Sequence, residues 1–239
     1  MVSTRSSSAA LLTPRGGRSS SPPASMSSPT KARAPRTTTT TIPAWSHAPT
    51  TLTLGWLFLS LPLVLWDMGY VLLRPHSMPG GKWHWPVWAP YAIQCELDWT
   101  YGWKEWNAGG GWNTAQTVVN GLETAGYLGY LWIWWANARA AEGKGNGAVT
   151  GRAAALAVLV GYSAFLTTFV KTVLYWLNEA FSGFANIGHN EPVHLFVFWV
   201  IPNGAWIVFP GILVYKFGDE IINGLTKAAS GTTRGVKSE

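Results

Sequence analysis

Four stretches along the chain are apolar for long enough to cross a membrane, and polar, glycine-rich or proline-rich segments separate them. The first runs from Thr51 to Leu73, the second from Trp112 to Ala136, the third from Ala153 to Leu177 and the fourth from Val193 to Phe217. At 1.5 Å per helical residue, each matches a hydrocarbon core of about 30 Å. The pattern predicts an all-α integral membrane protein, a bundle of about four transmembrane helices. Pro62 is expected to kink the first, and the GGGW run at 109–112 to break the chain before the second.

The segments between the spans differ in character. Residues 1–50 are Ser, Thr, Pro, Ala and Arg, with five consecutive Thr at 37–41. Such a segment buries too little apolar area to offset chain entropy, so a disordered tail is expected. Its Arg- and Ser-rich, acid-free start also resembles an organelle transit peptide, although its prolines oppose the amphipathic helix such a peptide forms. A cleaved signal peptide is disfavoured, because the first apolar segment starts some fifty residues in and no A-x-A site follows it. The loop 74–111 and its edge carry seven Trp, from Trp83 to Trp112, together with Glu96, Asp98 and Glu105. The charges argue against a span, and the indoles fit a loop that lies at the membrane interface or lids the bundle. The domain reading is therefore a tail over 1–50, a membrane domain over 51–218 and a flexible carboxyl tail over 219–239.

Composition sharpens this picture. Only 12% of the 239 residues are charged and 48% are hydrophobic, against about 25% charged in an ordinary soluble domain. The 16 Trp suit a membrane boundary. Cys95 is the single cysteine, so neither an internal disulfide nor a cysteine metal cluster can form, and no metal or cofactor is expected. The net charge of +6 belongs mostly to the tail: six Lys/Arg fall in the first 36 residues, and the first acidic residue is Asp67. This reads as contact with the cytosolic side or lipid headgroups. A nucleic-acid partner is not expected, since a groove binder carries its basic residues on a folded face. With four spans, the tail, the second inter-span loop and the carboxyl end share one side and carry thirteen Lys/Arg, against three on the other side. The positive-inside bias then places both termini in the cytosol.

Asp67, Glu123 and Lys171 fall inside apolar helices. An ionisable group there costs several kcal/mol on the gentlest scales, so it faces the bundle interior and marks either function or a structural ion pair. Glu123 and Tyr127 share one helix face, as do Asn203 and Trp206. If these faces meet, carboxylates, an amide and an indole surround an apolar cavity of the kind that suits a lipid-like ligand. Two plainer readings stand beside this one: Trp206 as core packing, and Asn203 as a partner for backbone freed by Pro202.

Toward the carboxyl end the segments VLYWLNEAFSGF (173–184), HNEPVHLFVFW (189–199) and NGAWIVFPGILV (203–214) resemble the emopamil-binding protein family of the EXPERA-domain superfamily, which contains the Δ8–Δ7 sterol isomerase. NGLETAGYL (120–128) and WDMGYV (66–71) resemble helices that precede these in the family. The resemblance covers roughly 52–217 and is densest over 173–214. It implies an EXPERA-like helical bundle, with Glu123 at the family's catalytic glutamate, Asp67 at a second acid one methylene shorter, and Asn203 and Trp206 at its pocket positions. Leu63 stands where the isomerase has a proton-handling histidine, leaving His76 and His84 of the following loop as alternative imidazoles. The implied reaction moves a ring double bond by protonation to a tertiary carbocation and loss of a neighbouring proton. The carboxyls serve as acid and base, an indole face stabilises the cation, and Tyr127 adds to the substrate-binding wall. A carboxyl in apolar surroundings can hold the necessary proton at neutral pH. The implied partner is a sterol or sterol-like lipid in the bilayer of the endoplasmic reticulum, and a homodimer is left open. An isomerase or cyclase acting on another terpenoid, and a non-catalytic binder of sterols or lipophilic amines, are the competing expectations.

Overall fold

The computed structural model describes residues 45–140 and 147–235. The expected disorder of the first 44 residues, and the middle of the loop that carries Lys144, lie outside the described residues. The described tail residues are ordered. Ser46–His47 (β1) pairs antiparallel with Val149–Thr150 (β2), with Ser46 opposite Thr150 and His47 opposite Val149. His47 is buried, and it places Nδ1 2.9 Å from Glu220 and Nε2 3.0 Å from the Tyr130 hydroxyl. The tail boundary expected at residue 50 therefore moves back: residues 45–50 belong to the folded bundle, because a histidine with two polar partners and Trp45 against Gly224 tie them down.

Four long helices make up the bundle among the described residues: α1 (Thr51–Leu72), α4 (Trp112–Ala140), α5 (Gly151–Phe181) and α7 (Ile201–Gly235). Two short helices, α2 (Tyr91–Leu97) and α3 (Trp103–Asn107), interrupt the first loop, and α6 (Pro192–Leu195) leads through a π-helical turn at Phe196–Val200 into α7. The Thr50 hydroxyl caps α1 by accepting from the Thr53 N–H at 3.2 Å. Pro192 opens α6 at the position where its missing donor costs nothing.

The helix α4 packs against α1 and α5, and α5 packs against α7. The ring closes where Trp56 of α1 meets Trp206 edge-on, with centroids 5.0 Å apart, and stacks on Phe209 at 5.3 Å. Tyr130, Val158, Phe165, Leu213 and Phe217 fill the centre. Small residues let the helices approach: a Cβ on Gly161 would stand 2.7 Å from the Phe217 ring and 3.0 Å from Tyr130.

Burial is inverted relative to a water-soluble domain. Thr53, Ser60, Asn113, Thr117, Asn120, Glu123, Thr168 and Thr172 are inside, whereas Phe58 and Phe181 are more than four-fifths exposed among many exposed Leu, Val and Phe. An apolar exterior of this extent fits a lipid surround. Three helical segments are both long and apolar enough to cross a membrane: Thr51–Leu72, Gly151–Phe181 and Pro192–Ser230. The expected second span forms a helix of 29 residues but falls outside this group. The helix α7 also continues to Gly235, so 219–235, read as a flexible tail, is helical. The stretch from Asp219 to Ser230 holds Leu, Lys, Glu and two Ala and no proline, a composition that sustains a helix begun by the apolar segment before it.

Candidate functional site

Asp67 lies on the inward face of α1, in its last two turns, where the loop 74–111 folds back over the helix. The fold-back is fastened in several places. Trp66 Nε1 donates to the Val87 carbonyl at 2.9 Å, Trp88 Nε1 donates to the Trp66 carbonyl at 3.2 Å, and Tyr91 stacks on Tyr70 with centroids 3.9 Å apart. Arg74, buried just past α1, donates to the carbonyls of Val71 and Thr100 and to the Thr114 hydroxyl. The loop thus lids the bundle and brings Tyr91 and Tyr101 onto Asp67.

The Tyr91 hydroxyl donates to Asp67 Oδ1 at 2.7 Å, and Tyr101 lines the same cavity beside it. Burial, and next the Asp67 carboxyl, hold both phenols well above their ordinary titration range. Both therefore remain donors at any physiological pH, an arrangement that serves a carboxylate as it forms.

Beside Asp67 opens a cavity of about 400 Å3, within the range of small-molecule sites. Leu63, Val64, Trp66 and Asp67 of α1 line one side, and Pro90, Tyr91, Gln94 and Tyr101 of the lid close it. Asn113, Gln116 and Asn120 of α4 and Lys171, Thr172 and Tyr175 of α5 form a polar wall. Phe198, Pro202, Asn203 and Trp206 complete the enclosure. Asn203 Nδ2 donates to the Trp199 carbonyl at 2.9 Å, so the amide serves the backbone next to Pro202 and the π-helical turn, and its Oδ1 remains as an acceptor. Trp206 faces the cavity while leaning on Trp56.

The residues expected from sequence divide into two groups. Asp67, Asn203 and Trp206 line one cavity. Glu123 and Tyr127 do share a buried face, but they lie behind the wall and do not line it. Glu123 Oε2 is 3.0 Å from the Lys171 ammonium, which also donates to Asn120 Oδ1, so it reaches the cavity only through its partner. Tyr127 packs on Phe165 and donates to Thr168 Oγ1 at 2.5 Å, since that hydroxyl spends its own proton on the Ala164 carbonyl. The alternative imidazoles are elsewhere: His84 Nδ1 is 2.9 Å from the Ser77 carbonyl, His76 packs edge-on against Trp83, and neither lines the cavity. Leu63 does line it.

Three features escaped sequence reasoning. The phenols of Tyr91 and Tyr101 sit in a loop without periodicity, which gave no signal. Asn113, Gln116 and Asn120, at positions i, i+3 and i+7 of one helix, did carry a readable signal. Asp98, counted only as a charge against a span, is fully buried. It accepts from the Thr100 N–H at 2.9 Å, the Thr100 hydroxyl at 2.7 Å, Trp199 Nε1 at 3.0 Å and the Tyr175 hydroxyl. A carboxylate with four donors is a structural anchor that ties the lid to α5 and the π-helical turn.

No family model, no curated protein and no solved structure matches this chain.

Proposed function

We propose that the protein is a membrane-embedded acid–base enzyme that shifts a ring double bond in a sterol-like lipid, as a Δ8–Δ7 sterol isomerase does. The observation that carries this reading is the Asp67 carboxyl, which lines the cavity, accepts from the Tyr91 phenol and shares that cavity with the Trp206 indole. Protonated Asp67 gives its proton to one alkene carbon, and the pair of π electrons forms the new C–H bond, leaving a tertiary carbocation. The carboxylate left behind is held by the Tyr91 hydroxyl. It then removes a proton from a carbon next to the cation, and that C–H pair becomes the relocated double bond. The indole face stabilises the cation between the two steps, and Asn203 Oδ1 accepts from a ligand hydroxyl. Glu123, paired with Lys171, fixes the polar wall and its charge. The resemblance of 173–214 to the emopamil-binding protein family supports the same reaction class and implies the endoplasmic reticulum membrane.

In this reading α4 is a fourth span. Its polar residues face inward, and its outer face presents Val118, Leu122, Leu128 and Trp132, all more than half exposed. Four spans then leave both termini in the cytosol, with the thirteen Lys/Arg of the positive-inside count.

Leu63 favours a second reading. It occupies the cavity wall where the family isomerase has a histidine, so the same acid and indole could act on another terpenoid. Expression in a sterol-isomerase-deficient yeast, with the Δ8 to Δ7 sterol ratio read by mass spectrometry, tests both. Δ7 sterol should reappear with the natural chain and vanish with Asp67→Asn. Persistent Δ8 sterol, with the protein folded in the membrane, overturns the sterol reading in favour of another terpenoid or a binding protein.

A further inference from the structure

The α4–α5 wall of the cavity is more polar than a ligand with one hydroxyl requires. Gln116 and Asn120 line it one helical turn apart, and Lys171 reaches it from α5 beside Asn120. The lysine ammonium has three N–H donors. Among the described residues one is engaged by Asn120 Oδ1, while Glu123 Oε2 stands 3.0 Å away as the ion-pair partner without accepting a hydrogen bond, so donor capacity remains for the cavity. Gln116 Nε2 is enclosed, with no hydrogen-bond partner among the described residues. A buried amide donor without an acceptor is costly, so an oxygen supplied by the ligand would satisfy it. Both groups are donors, and Lys171 meets Asn120, which lies four residues from Gln116 on α4, about 6 Å away between Cβ atoms. Glu123 already balances the Lys171 charge, so an anionic ligand group would bring uncompensated charge into an apolar enclosure. A neutral oxygen would not.

We propose that the cavity takes a sterol-like lipid bearing two neutral oxygen functions on one edge, on the order of 6 Å apart, one against Lys171 and the other against Gln116. The inference rests on the cavity being the lipid site proposed above and names its ligand class. It does not depend on isomerisation. The full chain in phosphatidylcholine nanodiscs would be titrated with cholesterol, which has one hydroxyl, and with 7-ketocholesterol, which adds a ketone across the ring system. The hydroxy-ketone should bind about ten- to a hundredfold tighter, the worth of one satisfied buried donor. Gln116→Leu should bring the two affinities within about twofold of each other, and Gln116→Met should do the same by the same loss of a donor. Val118→Ala, on the lipid-facing side of α4, should keep the preference. Equal affinities in the natural chain overturn the proposal, as does a preference that survives both Gln116 variants. Failure to bind either sterol overturns both this proposal and the lipid-site reading. A clear preference in a protein that converts no Δ8 sterol upholds this proposal and removes only the isomerase.

Discussion

The ion pair behind the cavity wall can be tested by removing one side of it. Lys171 holds Glu123 Oε2 at 3.0 Å, and the glutamate side chain is 1% exposed against 12% for the lysine. Lys171→Met keeps most of the volume and removes the charge. Glu123 is then a buried carboxylate without its counter-ion. Breaking a buried pair from one side costs about 3–5 kcal/mol, because the remaining charge keeps its desolvation penalty. For a chain of this size each kcal/mol lowers the melting temperature by about 2–4 °C, so the single variant should melt about 6–20 °C lower. The double variant Lys171→Met/Glu123→Leu removes the stranded charge and should return to within about 1 kcal/mol of the natural chain, since apolar replacement of a whole buried pair is close to neutral. Thermal unfolding in detergent micelles, followed by tryptophan fluorescence and completed as a double-mutant cycle with Glu123→Leu, measures each term. A single variant that loses less than about 1 kcal/mol, or a double variant that loses as much as the single, would refute the reading of Lys171 as the counter-ion that keeps Glu123 in the bundle.

Four further outcomes are expected. Tyr91→Phe keeps the ring stacked on Tyr70 but removes a donor to Asp67. It should cut turnover by about ten- to a hundredfold, the worth of a hydrogen bond to a charged group, and unchanged Δ7 sterol formation would count against the phenol's role. Gly161→Leu drives a side chain into Phe217 and Tyr130 and should destabilise the bundle by about 1–3 kcal/mol in thermal unfolding; an unchanged melting temperature would contradict the close packing of α4, α5 and α7. His47→Ala strands Glu220 and the Tyr130 hydroxyl and should open the 45–50 segment to limited proteolysis, whereas equal resistance would show that the segment is held by other contacts. Burial holds the Cys95 thiol above its ordinary range. Only the thiolate reacts, so N-ethylmaleimide labelling should be slow at pH 7.5 and still accelerating above pH 9, where an ordinary thiol, with a pKa of about 8.5, is levelling off; a plateau by pH 9 would show an unshifted thiol.

The long helices were legible because each contains a long, mostly apolar stretch, and Thr50, Pro192 and the glycines at 109–111 punctuate them. Asp67, Asn203 and Trp206 were legible as a site because a polar or aromatic residue inside such a run has few alternatives to the bundle interior. Tyr91 and Tyr101 were not, since their place beside Asp67 depends on how 38 residues of loop, 74–111, fold back, and that is decided by contacts with Trp66, Tyr70, Tyr175 and Trp199 outside the loop. Glu123 and Tyr127 show the limit of helical spacing as a guide. Spacing puts both on the buried face of α4, but the depth at which each side chain stops is set by its partner, Lys171 for one and Thr168 for the other.

The same physics explains why α4 is the least apolar of the long helices. Asn113, Gln116, Thr117, Asn120, Glu123 and Thr124 fall in its first half, and all but Gln116 are buried. Such groups are costly in a membrane without a partner inside the bundle; Arg74, Thr100 and Lys171 contribute contacts to that stretch, whereas Gln116 Nε2 and Thr117 Oγ1 have no hydrogen-bond partner among the described residues. A helix that carries the polar wall of an internal cavity must lose hydropathy in proportion to the polar groups it presents, while its outer face can stay apolar, as Val118 and Leu122 do. Low hydropathy averaged around the whole helix and an apolar lipid-facing side are therefore compatible. The depth of α4 can be read directly: single cysteines at Val118, Leu122 and Leu128 in a Cys95→Ser background should resist a membrane-impermeant maleimide in intact vesicles and react once detergent removes the lipid. Labelling of all three in intact vesicles would place that face in water and leave three helices to cross the bilayer.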